Sequence, residues 1–225
     1  MGYYIDLKNI TIDKYKKILK TTDLIPSWKI LEEDVDKNLN KIKKYDVKNL
    51  NELLIALKDK SKIQNFSKQS GLSEKYLSVL KRVVNGFLPK PNRIKDFTFI
   101  SKNIVAKLED MDLKNTLKLY EEIRTRKKRN EFSKKIGIDK IEVMKLTKLT
   151  DLSRIRWVNH TFAYVLLEAG YDTVEKVANA NYKELYEIVK KLNHKRKIYN
   201  ANIGERDMKM VIEAAKRLDI EIEYQ

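Results

Sequence analysis

Asn115-Thr-Leu-Lys-Leu-Tyr-Glu-Glu-Ile-Arg-Thr-Arg-Lys-Lys-Arg-Asn-Glu-Phe-Ser-Lys-Lys-Ile-Gly137-Ile-Asp139 has a counterpart 66 residues earlier, Asn49-Leu-Asn-Glu-Leu-Leu-Ile-Ala-Leu-Lys-Asp-Lys-Ser-Lys-Ile-Gln-Asn-Phe-Ser-Lys-Gln-Ser-Gly71-Leu-Ser73. Both stretches open on an asparagine, repeat Phe-Ser-Lys (Phe66 to Lys68, Phe132 to Lys134), and reach a glycine two residues before a Ser or Asp. An asparagine ahead of apolar residues at helical spacing, as in Leu50, Leu53, Leu54 and Leu57, accepts a bond from the orphan N–H groups of a first turn. Asn49 and Asn115 therefore read as N-caps. Gly71 and Gly137 end their helices in the left-handed conformation that glycine adopts at no steric cost. Ser73 and Asp139 then open the next helix.

The same register extends outward. A shift of 66 also pairs Ile42 with Leu108 and Leu80 with Leu146; a further shift of 58 pairs Ile104 with Phe162, Asn115 with Thr173, and Leu119 with Val177. Later the spacing widens, and Gly137 pairs with Gly204 at 67. A period of this length is the mark of a repeat architecture. The expected fold is all-α: three tandem diverged units of several short helices each, stacked into one compact or elongated body. The boundaries are an N-terminal segment 1–26 with one helix near Ile12–Lys20, then units 27–88, 92–150 and 151–225, the last including a C-terminal tail. Pro89-Lys90-Pro91 marks the first junction as an extended connection, because two prolines block helix continuation. Alternating runs occur only at Tyr3 to Leu7 and Ile220 to Tyr224, so the one sheet pairing to expect is between those ends.

Composition excludes several classes. The chain has no cysteine, which removes disulfides and thiolate metal sites and suits a reducing, cytoplasmic setting. His160 and His194 have no Ser, Cys or Asp pattern for a triad and no partner at ligand spacing. Glu32, Glu33, Asp34 and Asp36 sit where a helix starts and read as dipole partners. No apolar run approaches the roughly 20 residues that span a bilayer, and the first residues lack the basic and apolar regions of a secretion signal. No Walker loop, dinucleotide fingerprint or HExxH stretch is present. The expectation is a non-catalytic protein with neither cofactor nor metal, away from the membrane.

The net charge is +16. Lysine accounts for most of it, and a Lys-, Asn- and Ile-rich composition decorates any solvated helix face, so arginine, whose planar fork suits phosphate, is the sharper signal. Five arginines fall between 124 and 156: Arg124, Arg126, Arg129, Arg154 and Arg156.

The stretch from Asp151 to Ala178 resembles the helix-hairpin-helix pattern, with matches at Leu152, Ile155, Val158, Ala163, Leu166, Leu167, Gly170 and the cap Thr173. Over residues 25–220 the chain resembles an uncharacterised bacterial family carrying tandem helix-hairpin-helix units. That resemblance implies sequence-independent contact with a nucleic-acid backbone, where turn glycines let backbone N–H groups approach a phosphate at a helix N-terminus. The two turn glycines are replaced by Trp157 and Asn159 here, and by Phe99 and Ser101 in the preceding unit. Asn159 tolerates the left-handed turn, whereas Trp157 reads as a core-packing aromatic. Arg154, Arg156 and His160 flank the turn.

Basic runs recur at matched places in the units. Lys58, Lys60 and Lys62 stand 66 residues before Arg124, Arg126 and Lys128; the run Arg124, Arg126, Lys127, Lys128, Arg129 is the densest; His194, Lys195, Arg196 and Lys197 lie in the third unit. Tyr45, Tyr120, Tyr164 and Tyr186 lie at core spacing and read as packing. The expected site is thus Arg124, Arg126, Lys127, Lys128 and Arg129 with Arg154, Arg156, Asn159, His160, Lys195, Arg196 and Lys197. The expected partner is a nucleic-acid backbone, DNA ahead of RNA. The alternative is a helical repeat scaffold that docks an acidic protein and touches no nucleic acid.

Overall fold

The computed structural model describes residues 2–200 and 202–224. The chain divides into two compact units, Asp6–Leu88 and Met1–Ile5 with Pro89–Gln225. In the first, α1 (Ile12–Thr21), α2 (Val35–Lys43), α3 (Leu50–Ala56), α4 (Lys60–Ser70) and α5 (Glu74–Asn85) follow one another. The second holds α6 (Lys102–Asp110), α7 (Thr116–Ile123), α8 (Arg126–Ile136), α9 (Lys140–Leu152), α10 (His160–Glu168), α11 (Val174–Ala178), α12 (Tyr182–Arg196) and α13 (Glu205–Ala215). The protein is all-α, and among the described residues no helix is long and apolar enough to cross a membrane. Pro89 to Pro91 lie outside the helices, at the division between the units.

The helix starts follow the capping residues. Asn49 accepts from the amide of Glu52, Asn115 from that of Lys118 and Thr173 from that of Lys176. Asp46, Asp112 and Gly170, each three residues before its cap, have φ of 59°, 58° and 85°. Gly71 and Gly137 close α4 and α8 at φ 66° and 63°, and Ser73 and Asp139 cap the next helix. Ser67 and Ser133 each donate a hydroxyl hydrogen bond across that corner, to the carbonyls of Leu72 and Ile138 (2.6 and 2.7 Å). Gly204 departs from its expected role. Its φ is −118° and it caps the start of α13, while Lys197, at φ 50°, closes α12. The extra residues of the third stretch therefore lie in the loop after Lys197.

Apolar faces follow the same periodicity. Leu50, Leu53 and Leu57 are buried in the first unit, as are Leu119, Ile123 and Phe132 in the second, and full burial stabilises each by roughly 1.5–3 kcal/mol. The larger unit has one continuous core running from Ile94 through Leu108, Leu146 and Leu166 to Val211.

No strand forms among the described residues; Thr11 with Asn49 and Arg93 with Asn115 are isolated antiparallel bridges. They dock α3 and α7 alike, Leu50 N–H donating to the Ile10 carbonyl and Thr116 N–H to that of Asn92. At α11 the corresponding amide, Val174 N–H, donates instead to the Asp151 carboxylate at 3.0 Å. The two chain ends do not pair as a ladder. Tyr3, Tyr120 and Ile222 form a small cluster with Tyr4 and Tyr224 against it, and the Glu223 amide donates to the Arg124 carbonyl at 3.0 Å.

Candidate nucleic-acid interface

The turn between α9 and α10 is compact. Arg154, Ile155 and Val158 amides donate to the carbonyls of Asp151, Leu152 and Ile155 (3.0, 3.1 and 3.1 Å). Ile155 and Val158 are buried, and Asn92 Nδ2 braces the turn by donating to Ser153 Oγ and the Val158 carbonyl (2.9 and 3.3 Å). Asn159 is an N-cap in extended conformation, its Oδ1 accepting from the Phe162 amide at 2.9 Å. The left-handed residue is Trp157, at φ 70°, and its side chain is 39 % exposed. The core-packing reading of Trp157 is thus corrected: the residue takes the left-handed position of the turn and is exposed, and the buried apolar residues there are Ile155 and Val158. The Arg156 guanidinium lies 4.4 Å from the Trp157 ring, a cation–π distance. His160 stands edge-on to Phe97, 6.1 Å between ring centres.

Arg154 is not on this surface. It is 2 % exposed, its Nη1 paired with Asp151 Oδ1 at 2.8 Å. Its other nitrogens donate to the carbonyls of Tyr3 (3.1 Å) and Asp219 (2.8 Å), and its plane lies 5.2 Å from the Tyr120 ring. Asp151 Oδ2 in turn accepts from Val174 N–H and from the Tyr224 hydroxyl (3.0 and 2.9 Å). A buried charge needs a partner and filled hydrogen bonds, and this pair uses its own to tie both chain ends and the start of α11 together.

The run at the start of α8 is divided in the same way. Arg126 and Lys127 are exposed and Lys128 and Arg124 half-buried, with Arg124 3.4 Å from Glu121 and Lys128 Nζ donating to the Glu121 carbonyl. Arg129 is buried, donating to the carbonyls of Ile123 (3.0 Å) and Glu223. Burial holds its pKa below the ordinary arginine value, Tyr224 and Glu223 opposing that shift. The placement of Arg129 and Arg154 on a binding face is therefore corrected: both fork inward, Arg129 to the carbonyls of Ile123 and Glu223, Arg154 to those of Tyr3 and Asp219.

Lys195, Arg196 and Lys197 are exposed at the end of α12, where Arg196 pairs with Glu168. Glu168 ends α10 and the turn at Trp157 precedes its start, so roughly 13 Å of helix, at 1.5 Å per residue, separates the two groups. They do not form one cluster. Among the tyrosines, Tyr120 is fully buried and Tyr164 stacks on Phe99 at 3.5 Å, whereas Tyr45 is 41 % exposed, with its hydroxyl donating to the Gln69 carbonyl. Among the described residues no group of three His, Asp or Glu stands together as a metal site.

Asp151, Glu223 and Tyr224, which organise this region, were not singled out from the sequence. The spacing of Asp151 and Arg154, three apart at a helix end, is the one signal that pointed to a pair.

These features define an all-α protein with short capped helices, in which basic residues stand at the start of α8 and the end of α12. The chain belongs to the family described as a domain of unknown function (DUF4332), which matches residues 99–218, more than half of its length. That span takes in α6 to α13 and the turn at Trp157. Neither a curated protein nor a solved structure matches the chain.

Proposed function

We propose that this is a non-catalytic, cytoplasmic nucleic-acid-binding protein, built of three diverged helix-hairpin-helix-type units, that contacts the phosphate backbone without reading sequence. The left-handed Trp157 carries the proposal. A non-glycine residue in that conformation costs of order 1–3 kcal/mol and persists where the turn itself is required. Such strain gathers at ligand sites, and here it accompanies an exposed aromatic with an arginine across its face. Of the two positions where the pattern has glycine, Trp157 is left-handed and Asn159 is extended. Arg156 and His160 beside it, with Asn159 capping α10, leave a positive helix entrance suited to a phosphate. Exposed Arg126 and Lys127 with half-buried Arg124 and Lys128, and Lys195 to Lys197, supply further backbone contacts, duplex DNA being favoured over RNA. The unit reading rests on helix starts that recur at Leu50, Thr116 and Val174, and at Glu74, Lys140 and Glu205. The burial of Arg129 and Arg154 favours the second reading, a docking scaffold for an acidic protein.

Fluorescence anisotropy with short duplex DNA and RNA across a salt series tests the choice. Arg156→Ala should weaken binding equally for all sequences and flatten the log–log salt slope by about one unit, the effect of one lost phosphate contact. Trp157→Gly, which relieves the strain and keeps the turn, should retain the salt slope. Absence of binding at about 50 mM salt, where backbone contacts are strongest, would hand the protein to the scaffold reading.

A further inference from the structure

The chain carries one cleft twice. Between α8 and α9 it encloses about 400 Å³, with Arg126, Arg129, Lys140, Val143, Met144 and Tyr224 among its walls. Between α4 and α5 it encloses about 510 Å³, with Lys60, Ile63, Glu74, Ser78, Lys81 and Arg82. Lys60, Ile63, Glu74 and Ser78 stand 66 residues before Arg126, Arg129, Lys140 and Met144. The α8–α9 cleft is bordered by the segment Ile220-Glu-Ile-Glu-Tyr224, whose Tyr224 forms one of its walls. Its Ile222 is buried, Glu221 accepts from the Tyr120 hydroxyl at 2.8 Å, and the Glu223 carboxylate accepts from Arg126 N–H at 3.2 Å. The Glu223 amide donates to the Arg124 carbonyl, and Tyr224 closes the segment on Asp151. In the α4–α5 cleft the walls come from those two helices alone.

We propose that the α4–α5 cleft docks an extended acidic segment of a partner protein, in which apolar and acidic residues alternate and an aromatic closes the run. The α8–α9 cleft, edged by such a segment, supplies the template, and the charge agrees with it. Lys60, Lys81 and Arg82 share the walls with one acid, Glu74, and Lys58 stands on the turn before α4 with Lys62 in its first turn. The anchoring carbonyl is prepared too. Where the Arg124 carbonyl accepts the tail amide, its counterpart at Lys58 accepts the Lys81 ammonium at 2.5 Å. An incoming peptide N–H can take that place and release the ammonium to a carboxylate, a charge-assisted bond stronger than the one it gives up. The Glu74 carboxylate on the wall disfavours a phosphate chain. This docking site is independent of the reading of the Trp157 turn.

The test titrates the isotope-labelled full chain with a synthetic peptide of its own residues 219–225, followed by amide NMR shifts. Saturable shifts are expected at residues 58–63 and 78–85. Reversing charge on either side, by Lys81→Glu with Arg82→Glu or by a peptide carrying Glu221→Lys and Glu223→Lys, should lower affinity about tenfold or more, the usual penalty of like charges across an interface. The peptide arm decides alone if the double variant fails to fold. No saturable shift up to about 1 mM, the weak end of specific binding, would overturn the proposal, as would shifts confined to residues 124–129. Shifts at the cleft from an oligothymidylate but not from the peptide would assign it to nucleic acid. A dimer of the free chain that Lys81→Glu dissolves would assign it to a second copy.

Discussion

Helices α4 and α8 start after equivalent caps, Asp59 and Thr125, and end on equivalent glycines, yet their inner faces differ at Ser70 against Ile136 and, with more consequence, near their starts. Ile63 in α4 corresponds to Arg129 in α8, and both are buried. An aliphatic side chain leaves its cleft complete without further polar partners. A guanidinium does not, since each buried donor left unpaired costs about 1–3 kcal/mol. Arg129 therefore needs the C-terminal segment along the edge of the α8–α9 cleft, where the Glu223 carbonyl meets Arg129 and Tyr224 reaches Asp151. A second charged group is buried at the end of the next helix, where exposed Asn85 in α5 corresponds to buried Asp151 in α9. One cleft is edged by the chain's own C-terminal segment, and the walls of the other come from its two helices alone.

The largest expected effect breaks that contrast at Asp151. Asp151→Ala strands Arg154 in the interior and frees both chain ends, which should cost about 3–5 kcal/mol, the loss when one partner of a buried pair is removed. The counterpart Asn85→Ala should change stability by less than about 0.5 kcal/mol, as for an ordinary surface site. Urea unfolding of both variants makes the check. Similar losses in the two would mean that Asp151 is not the anchor of the C-terminal segment.

Two signals in the sequence bear on these clefts, and they differ in range. Capping residues act within one turn, so Asn49, Asn115, Thr173, Gly71 and Gly137 were all placed by local chemistry alone. Arginine density misled, because Arg129 and Arg154 satisfy carbonyls distant in sequence, at Glu223, Tyr3 and Asp219. The register held a better guide. A basic residue aligned with the core position of Ile63 marks a buried cation in search of acceptors, and the alternating Ile220 to Tyr224 supplies them. Trp157 misled for the opposite reason: an aromatic beside apolar neighbours suggests packing, but backbone handedness at one residue decided its direction.

A second, smaller effect sharpens the comparison at Arg129 itself. Arg129→Ala should cost about 1–3 kcal/mol through the carbonyls of Ile123 and Glu223 left unpaired. Arg129→Ile, which installs the residue found in α4, should recover part of that loss through packing. Amide exchange at residues 221–224 should quicken in both. If Arg129→Ile is as costly as Arg129→Ala, the two clefts are not equivalent in shape.

Alkali should act next. Burial raises the pKa of Tyr224 and of Tyr3, and Asp151 adds to the rise at both. Tyr76 of the other unit is pushed up to about 12 by burial. A folded-state pKa above the unfolded one contributes stability that is complete below the unfolded value and lost as pH rises through the folded one. Stability should hold up to about pH 10, the ordinary tyrosine value. One unit above that it should fall by about 1.4 kcal/mol for each tyrosine that stays protonated only in the folded chain. Absorbance at 295 nm during an alkaline titration reports ionisation. Ordinary ionisation near pH 10 without unfolding would show that the Tyr224 hydroxyl is not held on Asp151.

The smallest effects test what the two regions share. Asn49→Ala and Asn115→Ala each remove an N-cap acceptor and should each cost about 1 kcal/mol. Asn49 should be the more costly of the two. Its Nδ2 also donates to Glu52 at 2.9 Å, and the other Glu52 oxygen accepts from the Lys48 amide at 2.6 Å. That reciprocal arrangement ties the cap residue and the one before it to the first turn. At α7 the corresponding residue is Lys118, which turns away to pair with Asp112, so Asn115→Ala loses the cap alone. Glu52→Gln keeps the hydrogen-bond acceptor and removes the charge near the positive end of α3, and should cost less than either cap deletion, a few tenths of a kcal/mol. Thermal unfolding of the three variants ranks them. An order with Asn115→Ala costliest would mean that the Asp112 and Lys118 pair, not the Glu52 arrangement, supports the stronger helix start.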